Sequence, residues 1–205
     1  MLKYLVILAL SFFNANAALA GWADFPALYD VTGVALDDVL NVREGTGASY
    51  PVIETLAPND RNIEIVQLSD DGKWGLIGYP GGSGWASMRY LARQPGQDGR
   101  GFPSSLGCGG TEPFWGLVFN GQSANYDMMG EDNQSFTKVW EDTAVGMAPI
   151  SYAVKLQGNG GDITAVIHRN LCNDGMSEMT YGFDIDVIFS RPSGNSYYSG
   201  CCSLN

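Results

Sequence analysis

The run Phe183-Asp184-Ile185-Asp186-Val187-Ile188-Phe189 places Phe183, Ile185, Val187 and Phe189 on one face of an extended chain and Asp184 and Asp186 on the other. Side chains alternate across a strand with a period of two, so only a β conformation separates this stretch into an apolar and a charged side. Ile163, Ala165 and Ile167 alternate in the same way, and Gly158-Asn159-Gly160-Gly161 joins that run to residues 152–156 as a hairpin signal. No long apolar stripe with a helical period competes with these patterns. With residues 113–119, 136–140 and 197–201 as further strands, this half of the chain is expected to form an antiparallel barrel or sandwich.

All four cysteines, Cys108, Cys172, Cys201 and Cys202, belong to that half. They lie beyond a stretch from Arg93 to Ser105 that is rich in Pro, Gly and Ser and nearly empty of apolar side chains, and residues 93–107 therefore read as a linker. The chain divides into a cysteine-free unit, residues 21–92, and a second unit, residues 108–205; at roughly 70 and 100 residues both fall in the usual size range of domains. In the first unit, residues 39–43, 63–68, 74–79 and 84–86 are short candidate strands separated by turn-forming clusters such as Ser69-Asp70-Asp71-Gly72 and Pro80-Gly81-Gly82-Ser83. That order predicts a small β-barrel. The whole chain is expected to be all-β.

Residues 1–20 set the compartment. Lys3 gives a charged start, residues 5–13 an apolar run, and the small residues around Ala17 and Ala20 a cleavage site, the pattern of a secretory signal peptide cut after Ala17 or Ala20. The apolar run is short for a membrane span, and no cysteine follows it to carry a lipid, so no stable membrane insertion is expected after cleavage. The formal net charge of −11 argues against nucleic acid and anionic lipid as partners.

An exported chain with an even number of cysteines points to disulfides. A zinc site needs closely and repeatedly spaced ligands, and only the pair His168 and Cys172 approaches that; on a strand the two would stand roughly 13 Å apart. A redox pair normally has the C-x-x-C spacing at a helix start, which is absent from the sequence. No metal and no cofactor is expected. Adjacent residues of a strand face opposite ways, so Cys201 and Cys202 should reach different partners. Four cysteines allow three pairings; we favour Cys172 with Cys201 and Cys108 with Cys202, the other pairings staying open at this level. Closing a loop of about 30 residues stabilises a domain by roughly 3 to 4 kcal/mol in the chain-entropy account.

Two resemblances sharpen this reading. The order LNVREGTGASYPVIETL, DGKWGLIGY and GGSGWASMRYL, across Leu28 to Leu91, resembles the bacterial SH3 domain in its LNVR, its Gly-rich turn, the Trp of KWG and the closing GWA and RYL. CGGTEPFW at Cys108 to Trp115, CNDGMSEMTYGF at Cys172 to Phe183 and the late GC resemble an uncharacterised family of bacterial envelope domains, which implies no established chemistry. The first resemblance implies an SH3-like small barrel, and bacterial SH3 domains accompany cell-wall enzymes.

Candidate ligand residues in the first unit are Asn41, Arg43, Tyr50, Trp74, Tyr79, Trp85 and Tyr90, since aromatic faces beside a few polar groups make a groove for a peptide or for peptidoglycan. In the second unit Glu112, beside Phe114 and Trp115, is a carboxyl open to desolvation or to pairing with Arg169. His168 is the only histidine and reads as a strand residue with a satisfied hydrogen bond, while Asn173, Asp174 and Gly175 read as a turn. The leading expectation is a periplasmic, non-catalytic binding protein for peptidoglycan peptide or an envelope protein. The alternatives are a cell-wall hydrolase using Cys172 or Glu112, or a secreted inhibitor of a basic, lysozyme-type enzyme. No feature of the sequence specifies an oligomeric state.

Overall fold

The structure, a computed structural model, describes residues 25–97, 101–146 and 150–205. The expected signal peptide, with its cleavage positions Ala17 and Ala20, lies outside the described residues. Apart from a 3-10 turn at Met88–Tyr90, every regular element among the described residues is a strand. No helix among them is long and apolar enough to cross a membrane.

The first unit contains β1 (Ala27–Val31), β2 (Leu40–Arg43), β3 (Val52–Leu56), β4 (Ile63–Ile65), β5 (Gln67–Leu68), β6 (Trp74–Tyr79), β7 (Gly82–Ser87) and β8 (Leu91–Arg93). They form a three-stranded sheet, β4-β1-β8, and a five-stranded sheet, β3-β2-β7-β6-β5. Alternation sends Tyr29, Val31, Leu40, Val42, Ile77 and Ala86 into one shared core. Residues 63–68, expected as one strand, are split between the sheets. Val66 is buried at the corner and gives its N–H to the Leu76 carbonyl at 3.0 Å, so Ile63–Ile65 pair with β1 and Gln67–Leu68 with β6. A continuous strand would have left one side of so small a core open.

The second unit is a closed eight-stranded barrel rather than a sandwich: β9 (Ser105–Thr111), β10 (Phe114–Asn120), β11 (Ser123–Met128), β12 (Gln134–Thr143), β13 (Ser151–Gly158), β14 (Gly161–His168), β15 (Phe183–Arg191) and β16 (Gly194–Leu204). Each strand runs antiparallel to its neighbours in sequence, and β16 closes on β9. The inside is filled by side chains, as a barrel of this strand number allows. All four apolar residues of the Phe183–Phe189 alternation point in, and Phe189 meets Tyr126 and Phe136 edge-on at ring distances of 5.1 and 5.6 Å. Gly158 pairs with Gly161 across the Asn159-Gly160 turn, as the sequence indicated. In β12 the register shifts between Lys138 and Trp140, a bulge at Val139.

Both disulfides form in the favoured pairing. Cys108 faces Cys202 directly across the β9–β16 seam, and Cys201, on the outer side of the same strand, holds Cys172 in the loop between β14 and β15. Bonds of this kind persist in an oxidising compartment.

The expected linker, residues 93–107, is shorter than its composition suggested. Gln94 and Gln97 bond to Leu28 in the first unit, whereas Leu106 is fully buried in the barrel and β9 already begins at Ser105. Its aromatic side chain, Phe102, stacks edge-on against Phe119 and Tyr152 at 5.1 and 5.9 Å under the Lys138 ammonium, capping the barrel core.

The two units touch through the β14–β15 loop and the end of β16. Met179 lies over Gly78, where a Cβ would come within 2.8 Å of its methyl; the Thr180 N–H donates to Ser83 Oγ at 2.7 Å, and Arg169 donates to the Pro26 carbonyl at 3.2 Å.

The seam bond encloses nearly the whole second unit, 94 residues apart in sequence. Replacing Cys108 and Cys202 together by Ala is expected to cost about 2–5 kcal/mol in urea unfolding monitored without reductant, with the Cys172–Cys201 bond still found by peptide mapping.

Candidate functional site

Two surfaces have the shape and composition of a site, one on each unit. The first is the outer face of the five-stranded sheet. With Leu40 and Val42 turned inward, Asn41 and Arg43 of β2 face out; on β6 and β7 the same alternation exposes Trp74 and Leu76, and Trp85 and Ser87. Register sets Trp85 between Arg43 and Leu76, and Trp74 opposite Ser87. Neither tryptophan belongs to the core; both are half-buried.

A cleft of about 530 Å³ opens beside this face, with Asp38, Asn41, Arg43, Trp74, Arg89 and Tyr90 in its lining. Of the residues singled out from the sequence it gathers Asn41, Arg43, Trp74 and Tyr90. Trp85 is their neighbour on the sheet but outside the cleft. Tyr50 is exposed and covers its own turn, lying where a Cβ on Gly45 would be 2.6 Å from its ring; its carbonyl takes a hydrogen bond from the Arg43 guanidinium at 2.7 Å. Tyr79 folds back on Gly82 of the same hairpin, beside Glu178, and does not line the cleft. Asp38 and Arg89, which the sequence reading missed, supply charges of both signs. Asp38 carries no aromatic or motif signal, and Arg89, although it opens the RYL of the resemblance, was passed over for its neighbour Tyr90.

The second surface is a cavity of about 650 Å³ on the outside of the barrel, beneath the β14–β15 loop. Glu112 from the β9–β10 turn, His168 from the end of β14 and Asp174 from the loop, far apart in sequence, all line it, together with Asp184 and Asp186. His168 faces Asp184 in register, and its Nδ1 is 2.7 Å from Asp184 Oδ1; Asn170 donates to the other oxygen at 2.9 Å. The Tyr197 hydroxyl donates to Asp186 at 2.6 Å, a bond that raises the phenol's pKa. Glu112 is exposed and Arg169 is occupied elsewhere, with Tyr152 and Pro26, so the expected Glu112–Arg169 pair does not form.

Asp174 organises the loop. Its carboxylate accepts the N–H groups of Met176 and Ser177 at 3.0 and 2.9 Å and the hydroxyls of Ser177 and Tyr181, while Gly175 turns the chain at φ +75°. The Ser177 N–H is the largest of the contacts that hold this carboxyl below its ordinary value; burial, the next influence in size, acts the other way, and the Met176 N–H and the two hydroxyls outweigh it together with Ser177. Four carboxylates and one histidine thus line the cavity, with no Lys or Arg. Among the described residues no group of three His, Cys, Asp or Glu is placed to hold a metal ion. Cys172 lines the cavity as a disulfide and has no thiolate to offer. The lining is thus strongly acidic.

Compared with protein-family models, with curated proteins and with solved structures, the chain matches none.

The lowered pKa of Asp174 has a sign that can be measured. Its contribution to loop order is present above the ordinary carboxyl value of 3.8 and is lost as the pH falls below that towards the lowered folded value. Protection of the Met176 and Ser177 amides against exchange, corrected for the intrinsic rate at each pH, is expected to fall in that acid range, and Asp174→Asn to show the lower protection already at neutral pH.

Proposed function

We propose that this chain is an exported, periplasmic binding protein without catalytic activity, whose first unit is an SH3-type module engaging the stem peptides of peptidoglycan or an extended segment of an envelope protein. The observation that carries this reading is that Trp74 and Trp85 stand on the outer face of their sheet instead of filling the core. Large aromatics left half-exposed beside a cleft are the usual anchors of a binding surface. Arg43, Arg89 and Asp38 in and beside that cleft match a ligand carrying both carboxylates and amines, as a peptide does.

A second reading is supported by the barrel cavity. Its carboxylates, without a cation among the lining residues, suit a basic protein, and the second unit would then serve as an inhibitor of a lysozyme-type enzyme. A thiol hydrolase is not proposed, because Cys172 is bonded to Cys201.

Sedimentation with purified peptidoglycan is expected to retain the protein, and Trp74→Ala or Trp85→Ala to weaken retention at least about tenfold; loss of retention in no variant, or none in the intact protein, rejects wall binding. For the second reading, titration against a basic lysozyme is expected to inhibit it, with Asp184→Asn plus Asp186→Asn relieving the inhibition.

A further inference from the structure

Arg89 is exposed on the 3-10 turn that follows β7, and it lines the cleft of the first unit. Its guanidinium lies 5.7 Å from the ring of its neighbour Tyr90, and among the described residues no carboxylate pairs with it. Arg43, the second base of the lining, gives one N–H to the Tyr50 carbonyl and has no acidic partner either, so most of its five donors are uncommitted. In a chain with 22 acidic and 11 basic residues, most arginines have a carboxylate within easy reach, yet this cleft holds two bases to one acid, Asp38. The barrel cavity of the same chain holds four carboxylates and no Lys or Arg.

The sheet register shows how these groups are spaced. Ser87 pairs with Trp74, and the alignment of β2 on β7 brings Asn41 to its other side, so a small side chain lies between a ring and an amide and leaves the floor of the cleft low. Arg43 is level with Trp85, and Arg89 comes four residues further along the chain. The two arginines therefore stand at different levels of the cleft, with backbones roughly 10 Å apart by the strand rise. Asp38 enters from the β1–β2 loop, where its Oδ1 accepts the Val39 N–H at 2.8 Å.

We propose that this cleft selects a stem peptide of the wall whose carboxyl groups are free, with Arg89 as the anchor for one carboxylate and Arg43 taking a second. The inference rests on the reading of the first unit as a wall-peptide module and adds which chemical form of the peptide is taken. A guanidinium presents paired N–H donors that match both oxygens of a carboxylate, whereas an amide in its place offers one acceptor, no charge and an N–H₂ turned against the donors. A cleft of about 530 Å³ holds a few residues rather than a long strand, and a stem peptide gathers several carboxyls and an amine within that length. Asp38 is placed to receive the amine.

The test uses the intact chain and three synthetic peptides of equal length: a stem tetrapeptide with free carboxyls, the same peptide with its carboxyls converted to amides, and an ordinary α-linked acidic peptide. Affinities are read from the shift of the Trp74 indole N–H in NMR. The free acid is expected to bind at least about fivefold more tightly than the amide, the difference that exposed charge pairs supply. Arg89→Gln is expected to weaken the free acid about fivefold and to leave the amide unchanged. Arg61→Gln, which removes the same charge from an exposed position outside the cleft, is expected to change neither. Equal binding of acid and amide, an Arg89→Gln loss that is the same for both, no binding of the free acid, or tighter binding of the α-linked peptide overturns the proposal. Retention on peptidoglycan is scored separately: a chain that sediments with the wall but does not distinguish acid from amide keeps the wall-binding reading and loses this inference, whereas one that distinguishes the peptides without sedimenting does the reverse.

Discussion

The closure of β16 on β9 is the constraint on which the rest of the second unit depends. An open eight-stranded meander would leave two edges of unpaired N–H and C=O groups, and joining the last strand to the first removes both. Gly200 permits the approach, since a Cβ there would meet the Gly109 carbonyl oxygen at 2.1 Å. Once the ring is closed, alternation is fixed all the way round: Cys202 must point in, where it meets Cys108, and Cys201 must point out, where it meets Cys172. The loop so tethered forms one wall of the His168 cavity and also the contact with the first unit. Seam, staple, cavity and interface follow from one register.

That register explains how far the chain could be read in advance. Phe183 to Phe189, the Asn159-Gly160 turn and the opposed cysteines were legible because each is governed by neighbours in sequence and by the period of two. β11 was not, because Ala124 and Tyr126 give too weak an alternation to mark a strand, although both are fully buried. The break at Val66 escaped for another reason: a corner between two sheets depends on the Leu76 carbonyl waiting on a different strand. The candidate residues divide in the same way. That Asn41 and Arg43 share a face is written in the Leu40-Asn41-Val42-Arg43 alternation, whereas the meeting of Glu112, His168 and Asp174 is set by barrel closure and by the Cys172 tether. Tyr50 and Tyr79 illustrate the converse, since an aromatic beside Gly-rich turns has glycines of its own to cover.

The two candidate surfaces differ in physical character. The cleft of the first unit mixes aromatic faces with charges of both signs, which suits an extended ligand read along its length. In the barrel cavity His168 and Asn170 fix the direction of Asp184 and Tyr197 that of Asp186, so two of its four carboxylates present a set pattern. The loop from Cys172 to Tyr181 lies between them, with Asp174 turned to the cavity and Met179 turned to the sheet. A partner spanning both surfaces would gain from their linkage only where their separation is held constant.

Phe102 bears on how the protein can be taken apart. Because this ring closes the end of the barrel against Phe119 and Tyr152, and Leu106 is already fully inside it, a fragment cut at Cys108 would lack the cap together with Ser105, Leu106 and Gly107 of the seam strand. The economical boundary for expressing the barrel alone falls before Phe102, in a stretch whose composition gives no hint that a structural plug is hidden at its end.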